Sequence, residues 1–179
     1  MAPSLQMRWI DRSDDLDNER LDQLADCWIR VSNSGGAVGF PFAPVDEAAV
    51  RQAAQALRAS LGTHNRLLIA EEGDALAGWL VLQMNKSALT AHWARLARVQ
   101  TDPQFRGRGY GRALMAEAVR MADSLGLRQL HIEVRSGQGI EEFYSSLGWR
   151  IVGRWPLALR VTPDDDRDEV LMLLELPAR

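Results

Sequence analysis

The chain has 179 residues, 46% hydrophobic and 25% charged, so it belongs with globular proteins and is long enough to bury a core as one domain spanning residues 1–179. A net charge of −3 argues against a protein that coats nucleic acid, which carries a basic excess. The single cysteine, Cys27, excludes an intrachain disulfide, and no apolar run reaches the roughly 18 residues of a membrane helix.

The opening stretch MAPSLQMRWIDRSDD lacks the apolar core of a signal peptide, so a cytoplasmic protein with no membrane partner is expected. MRWI (7–10) predicts a strand. Leu21, Leu24, Cys27, Trp28 and Val31 recur at helical spacing over 18–31. SNSGGAVGFPFAP (32–44) reads as a loop. Asp46 is placed to cap a helix over 47–61, and Gly62 to stop it. RLLIAEE (66–72) and ALAGWLVLQM (75–84) form a hairpin through Gly73-Asp74. A strand over 91–101 follows, ending before Asp102-Pro103.

Leu114, Ala118, Met121, Ala122 and Leu125 then mark a helix closed by Gly126. LRQLHIEV (127–134) predicts a strand, and IEEFYSSL (140–147) a short helix capped by Gly148, with Trp149 packing back on it. RIVGRW (150–155) and EVLMLLEL (169–176) are two further strands, with PDDDRDE (163–169) read as a solvated turn between them. The order β-α-α-β-β-β-α-β-α-β-β predicts an α/β (α+β) fold. Its sheet is mixed, mostly antiparallel and six- to seven-stranded, with helices on both faces.

Between the strand ending at Thr101 and the following helix lies DPQFRGRGYGR (102–112). A strand–glycine loop–helix unit aims main-chain N–H groups and the positive end of the helix dipole at one spot, which an anion fills. The loop lacks the Gly-Lys-Ser/Thr of a Walker A motif, and the spacing Gly107, Gly109, Arg112 fails GxGxxG. It does fit R-x-x-G-x-G, as Arg106, Gly109 and Gly111 after Pro103. That pattern resembles the acyl-CoA loop of the GCN5-related N-acetyltransferase (GNAT) superfamily. Val99, Thr101 and Pro103 look like the strand end that pairs with pantetheine, and EEFYSSLGW (141–149) looks like the family's later helix. The resemblance covers residues 66–155.

The resemblance implies acetyl-CoA as co-substrate and no metal. The N–H groups of Gly107, Arg108, Gly109, Tyr110, Gly111 and Arg112 would hold the pyrophosphate, and Val99 and Thr101 would pair with pantetheine. Arg106 and Arg108 either touch phosphate or are solvated. Acetyl transfer to an amine needs a proton acceptor for the ammonium and a proton for the departing thiolate. Tyr144 is the candidate acid, against a packing role. Glu133, in a run otherwise suited to burial, is the candidate base, against a salt bridge to an arginine. Alternation puts His131 on the same face as Glu133. Where many members have Asn and Ala before this tyrosine, this chain has Gly137 and Ile140.

The loop NSGGAVGFPF (33–42) sits where the family places acceptor-side loops. Gly35, Gly36 and Gly39 predict mobility, and Phe40 and Phe42 apolar cover, so a substrate lid is expected. The loop also resembles a segment of tabtoxin-resistance acetyltransferases. The activity implied is transfer of acetyl to a primary amine of a small molecule. An acyl-CoA-binding sensor and a protein N-acetyltransferase are the alternatives. Family members often dimerise, so a homodimer is among the assemblies implied.

Overall fold

The computed structural model describes residues 4–177 except 37 and 63; Ala37 of the glycine-rich loop and Met1–Pro3 lie outside the described residues. The elements are β1 (Leu5–Ile10), α1 (Asn18–Asn33), α2 (Glu47–Ser60), β2 (Asn65–Glu72), β3 (Ala75–Met84), β4 (Trp93–Thr101), α3 (Tyr110–Ser124), β5 (Gln129–Arg135), α4 (Ile140–Ser145), β6 (Arg150–Thr162) and β7 (Asp165–Glu175). Their order matches the prediction. The strands form one seven-stranded sheet, β1-β2-β3-β4-β5-β7-β6. Every neighbouring pair is antiparallel except β4 and β5, which α3 connects as a parallel pair.

Strand alternation splits the core between two faces. Leu67 and Ile69 of β2 pack with Trp28 of α1 and Val50 of α2, while Leu68 and Ala70 pack with Leu114 and Ala118 of α3. Asp17 and Asp46 cap α1 and α2 by accepting main-chain N–H bonds. The stretch after α4 closes as a Schellman turn. The Gly148 N–H donates to the Ser145 carbonyl, the Trp149 N–H donates to the Tyr144 carbonyl, and Gly148 has φ +90°. The Trp149 ring lies edge-on to Tyr144 at 5.8 Å, so this turn fixes where Tyr144 stands.

The acidic stretch 163–169 is not a solvated turn. β6 and β7 extend through it, turning only at Pro163-Asp164. Ion pairs stabilise the extension: Arg160 binds Asp166 through two bonds of 2.8 and 2.9 Å, and Arg167 binds Asp165. β6 lies at the edge of the sheet and is broken between Trp155 and Leu159, where residues 156–158 bulge out and the Leu157 N–H donates to Asp168 Oδ1.

At the end of β4, Asp102 has no solvent exposure. It accepts from Arg30 Nε and Nη2 at 2.8 and 2.6 Å and from the Gln104 N–H at 3.0 Å, so one carboxylate ties α1 to the turn that leads into the glycine loop. Asp102→Ala should lower stability by about 3 kcal/mol, the low end for a broken buried pair because Arg30 reaches water. The check is a lower urea midpoint with unchanged m-value.

Candidate functional site

β4 and β5 pair only at Trp93↔Gln129, Ala94↔Leu130 and Arg95↔His131. Beyond Arg95 the strands part, although β4 continues to Thr101 and β5 to Arg135. A bulge in β4 accompanies the parting: Ala97 faces Val81 and Gln100 faces Trp79, leaving Arg98 and Val99 opposite Leu80 alone. Arg98 has φ +55°, a strained value for a non-glycine residue. Its guanidinium holds the bend by donating to the Val38 carbonyl at 2.9 Å and lying 4.5 Å over the Trp28 ring. Nothing in the sequence near 98, neither Gly nor Pro, signalled this bulge.

The parted strands enclose a cavity of about 210 Å³ lined by Val99, Gln100 and Thr101 from β4 and by Glu133 from β5, with Arg106 and Tyr144 also in its wall. Gln100 Oε1 is buried there without a hydrogen-bond partner. The structure thus brings Val99, Thr101, Arg106, Glu133 and Tyr144 to one cleft.

Gly107 and Gly109 have φ +77° and +81°, and a Cβ on either would meet nothing within 4 Å. The first main-chain bond of α3 runs from the Ala113 N–H to the Gly109 carbonyl. Among the described residues, the N–H groups from Gly107 to Arg112 have no acceptor. Unpaired N–H groups at a helix start, over open space, make an anion cradle.

The arginines around it divide. Arg108 is paired with Glu72 at 2.8 Å, and the Tyr110 hydroxyl donates to the same carboxylate. That hydrogen bond, joined by Arg108, holds the Glu72 carboxyl below its usual range, and the same bond to Glu72 lifts the Tyr110 hydroxyl above its own against the pull of Arg108. Arg106 donates to Ser34 Oγ at 2.8 Å and Arg112 to Ser146 Oγ at 3.2 Å, both neutral acceptors, so their charges remain uncompensated among the described residues.

Tyr144 is 5% exposed, and burial pushes its hydroxyl well above the ordinary value. Glu133 is paired with Arg95 at 2.7 Å and remains partly exposed, on the face opposite the buried Ile132 and Val134. His131, on the same face, stacks on Trp93 at 4.1 Å. Gly137 has φ +90°, so a larger residue would be strained there, and its Cβ, 2.5 Å from Arg167 Nη1, would have to push that side-chain end aside.

The glycines of 33–42 have geometric work to do. A Cβ on Gly36 would lie 2.5 Å from Val31 Cγ1, and Gly35 and Gly39 have φ +85° and +100°. The segment is tied down at several points. The Val38 carbonyl accepts from Trp28 Nε1 and Arg98, and the Gly35 carbonyl accepts from Arg135 Nη2 at 2.5 Å. Phe40 packs edge-on against Trp28 at 5.2 Å, while Phe42 is exposed. Gly39, Phe40 and Pro41 of the segment line a second cavity of about 290 Å³, which shares Glu133, Val134 and Arg135 with the first and also includes Arg160 and Glu169. Sequence reasoning passed over Arg98, Asp102, Arg135 and Glu169. The roles of Arg98, Arg135 and Glu169 depend on partners in other elements, which no local pattern gives.

Among the described residues there is no group of three or more His, Cys, Asp or Glu placed to hold a metal, and no helix long and apolar enough to cross a membrane. The model of the acetyltransferase (GNAT) domain matches residues 36–155. Mycothiol acetyltransferase of Mycobacteroides abscessus is 32% identical over 104 residues, 58% of this chain, and the match spans only 31% of that relative's length. Among solved structures, YncA of Salmonella typhimurium, determined with its cofactor acetyl-CoA, superposes with a TM-score of 0.71 at 17% identity over 98% of this chain and 95% of that one. An N-acetyltransferase from Staphylococcus aureus gives 0.74 at 14% identity over 96% and 98%. The structural likenesses show the fold, and the domain match over more than half of the chain shows the family: this chain belongs to the GNAT acetyltransferases, which use acetyl-CoA.

Proposed function

We propose that the chain transfers an acetyl group from acetyl-CoA to the primary amine of a small molecule, by direct attack in a ternary complex. The observation that carries this reading is the parting of β4 and β5 beside the anion cradle, with a second cavity alongside that shares Glu133. Acetyl-CoA fits the residues present. The free N–H groups of 107–112, with Arg106 and Arg112, suit its pyrophosphate, and the unpaired edge at Val99 and Thr101 suits the amides of pantetheine. When bound, the thioester supplies an activated acetyl group and a thiolate leaving group.

Tyr144 stands in the cleft wall and keeps its proton because burial opposes ionisation, so a proton is available there for the departing sulfur once the developing thiolate draws it. Glu133, at the junction of the two cavities, takes the proton from the acceptor ammonium, directly or through water, while Arg95 holds its carboxylate in place. Gly39, Phe40 and Pro41 form the acceptor-side wall. The ties of their segment to Trp28, Arg98 and Arg135 favour a fixed wall over a swinging lid.

Tyr144→Phe should lower kcat about a hundredfold while leaving the Kd for CoA within about twofold, read by thiol release and calorimetry; unchanged turnover removes Tyr144 from the chemistry. Because its pKa is raised, Tyr144 should give no alkaline limb to the pH–kcat profile below about pH 10. Gly109→Val, whose side chain would enter the open space above the cradle, should weaken CoA binding about a hundredfold, and retained affinity would place the ligand elsewhere. Tight CoA binding with no thiol release from any amine would favour a sensor.

A further inference from the structure

Four charged side chains line the second cavity: Glu133, Arg135, Arg160 and Glu169. Two of them are already neutralised. Glu133 is paired with Arg95, and Arg160 binds Asp166 through two bonds. The other two are not. Arg135 is 8% exposed and, among the described residues, donates only through Nη2, to the Gly35 carbonyl and to Gln138 Oε1, both neutral. Nε and Nη1 of its guanidinium make no hydrogen bond among the described residues. Glu169 is half-buried and makes no hydrogen bond or ion pair among the described residues.

Arg135 and Glu169 are direct register partners across β5 and β7. Opposed residues in an antiparallel pair have Cβ atoms about 5 Å apart, and opposite charges there ordinarily join. Here they do not: Arg135 is drawn toward the loop at Gly35, and Glu169 is left alone in the same cavity wall. Asp165 and Arg95 act on these two groups only at a distance, and a buried cation and a half-buried carboxylate, neither joined in an ion pair among the described residues, gain when a ligand supplies the direct partner of each. A ligand that carries both charges supplies them.

We infer that this cavity takes a zwitterionic acceptor, a small amino acid-like molecule whose ammonium group is received by Glu169 and whose anionic group is received by Arg135. This rests on the acetyl-transfer reading for its consequence but not for its binding. It accounts for Arg135 being held by neutral acceptors, which fix the guanidinium without cancelling its charge. Burial and the neighbouring Glu133 push the Glu169 carboxyl above its usual range, as expected for a group awaiting a cation. The attacking amine would stand between Glu169 and Glu133, and Glu133, like Arg135, also lines the thioester cleft.

The test uses the full chain with CoA bound. Protein amino acids, each beside its α-carboxamide and its decarboxylated amine, are titrated by calorimetry, and the same compounds are assayed for thiol release with acetyl-CoA. The expected result is at least one amino acid that binds about tenfold or more tightly than its carboxamide. Arg135→Gln should erase that preference and Arg135→Lys should keep part of it. Glu169→Gln should weaken the acid and the amide alike, with the Kd for CoA unchanged. Zwitterion-selective binding without thiol release would support this site while overturning the transfer reading. Equal binding of acid and amide, or no amino acid bound, would overturn the inference, even where plain amines are acetylated.

Discussion

β4 and β5 are hydrogen-bonded at one end only, and the rest of the site follows from that. A parallel pair that ran its full length would satisfy its main-chain groups and leave no room between the strands. The bulge at Arg98 and Val99 bends β4 away, and Arg98, wedged between Trp28 and Val38, holds the bend against the strain of a positive φ. Asp102 then fixes the direction in which the chain leaves the sheet, so that the glycine loop and the start of α3 stand at the mouth of the gap. A ligand with amide groups enters such a gap as a missing length of strand would.

The basic residues are almost all arginine: of 21 Lys and Arg, only Lys86 is a lysine. Planar, multi-donor guanidinium groups serve here as structural braces as well as charges. Arg30 anchors Asp102, Arg98 braces the bulge, Arg108 pairs with Glu72, and Arg135 grips the Gly35 carbonyl. Arg106, Arg112 and Arg135 also bind neutral acceptors, and of these Arg106 and Arg135 line the cavities, where an anion can meet them.

The order of elements and the glycine loop were legible in the sequence because they rest on local rules: 3.6-residue stripes, Asp caps, and glycines at left-handed positions such as Gly126 and Gly148. The cleft was legible only by resemblance, since its opening depends on strand pairing that ceases. The acidic run near 165 reads as a loop because its partners, Arg160 and Arg167, are identifiable only once the hairpin has formed. Glu169 was hidden for the same reason, counted as the end of that run and the start of a strand, when its meaning lies in Arg135 across the sheet. The glycines of 33–42 suggested motion, yet Gly36 is there because Val31 leaves no room for a side chain.

The irregularity of β6 has a consequence for how copies of the molecule behave toward one another. This outermost strand exposes Ile151, Val152, Trp155 and Leu157, a composition that on a flat edge would recruit further strands and seed aggregation. The bulge at residues 156–158 interrupts the ladder in mid-strand, Pro156 has no N–H to offer, and the Leu157 N–H is already given to Asp168. An incoming strand would find its register lost halfway along, so the apolar side chains stay accessible while the backbone beneath them resists sheet-to-sheet growth.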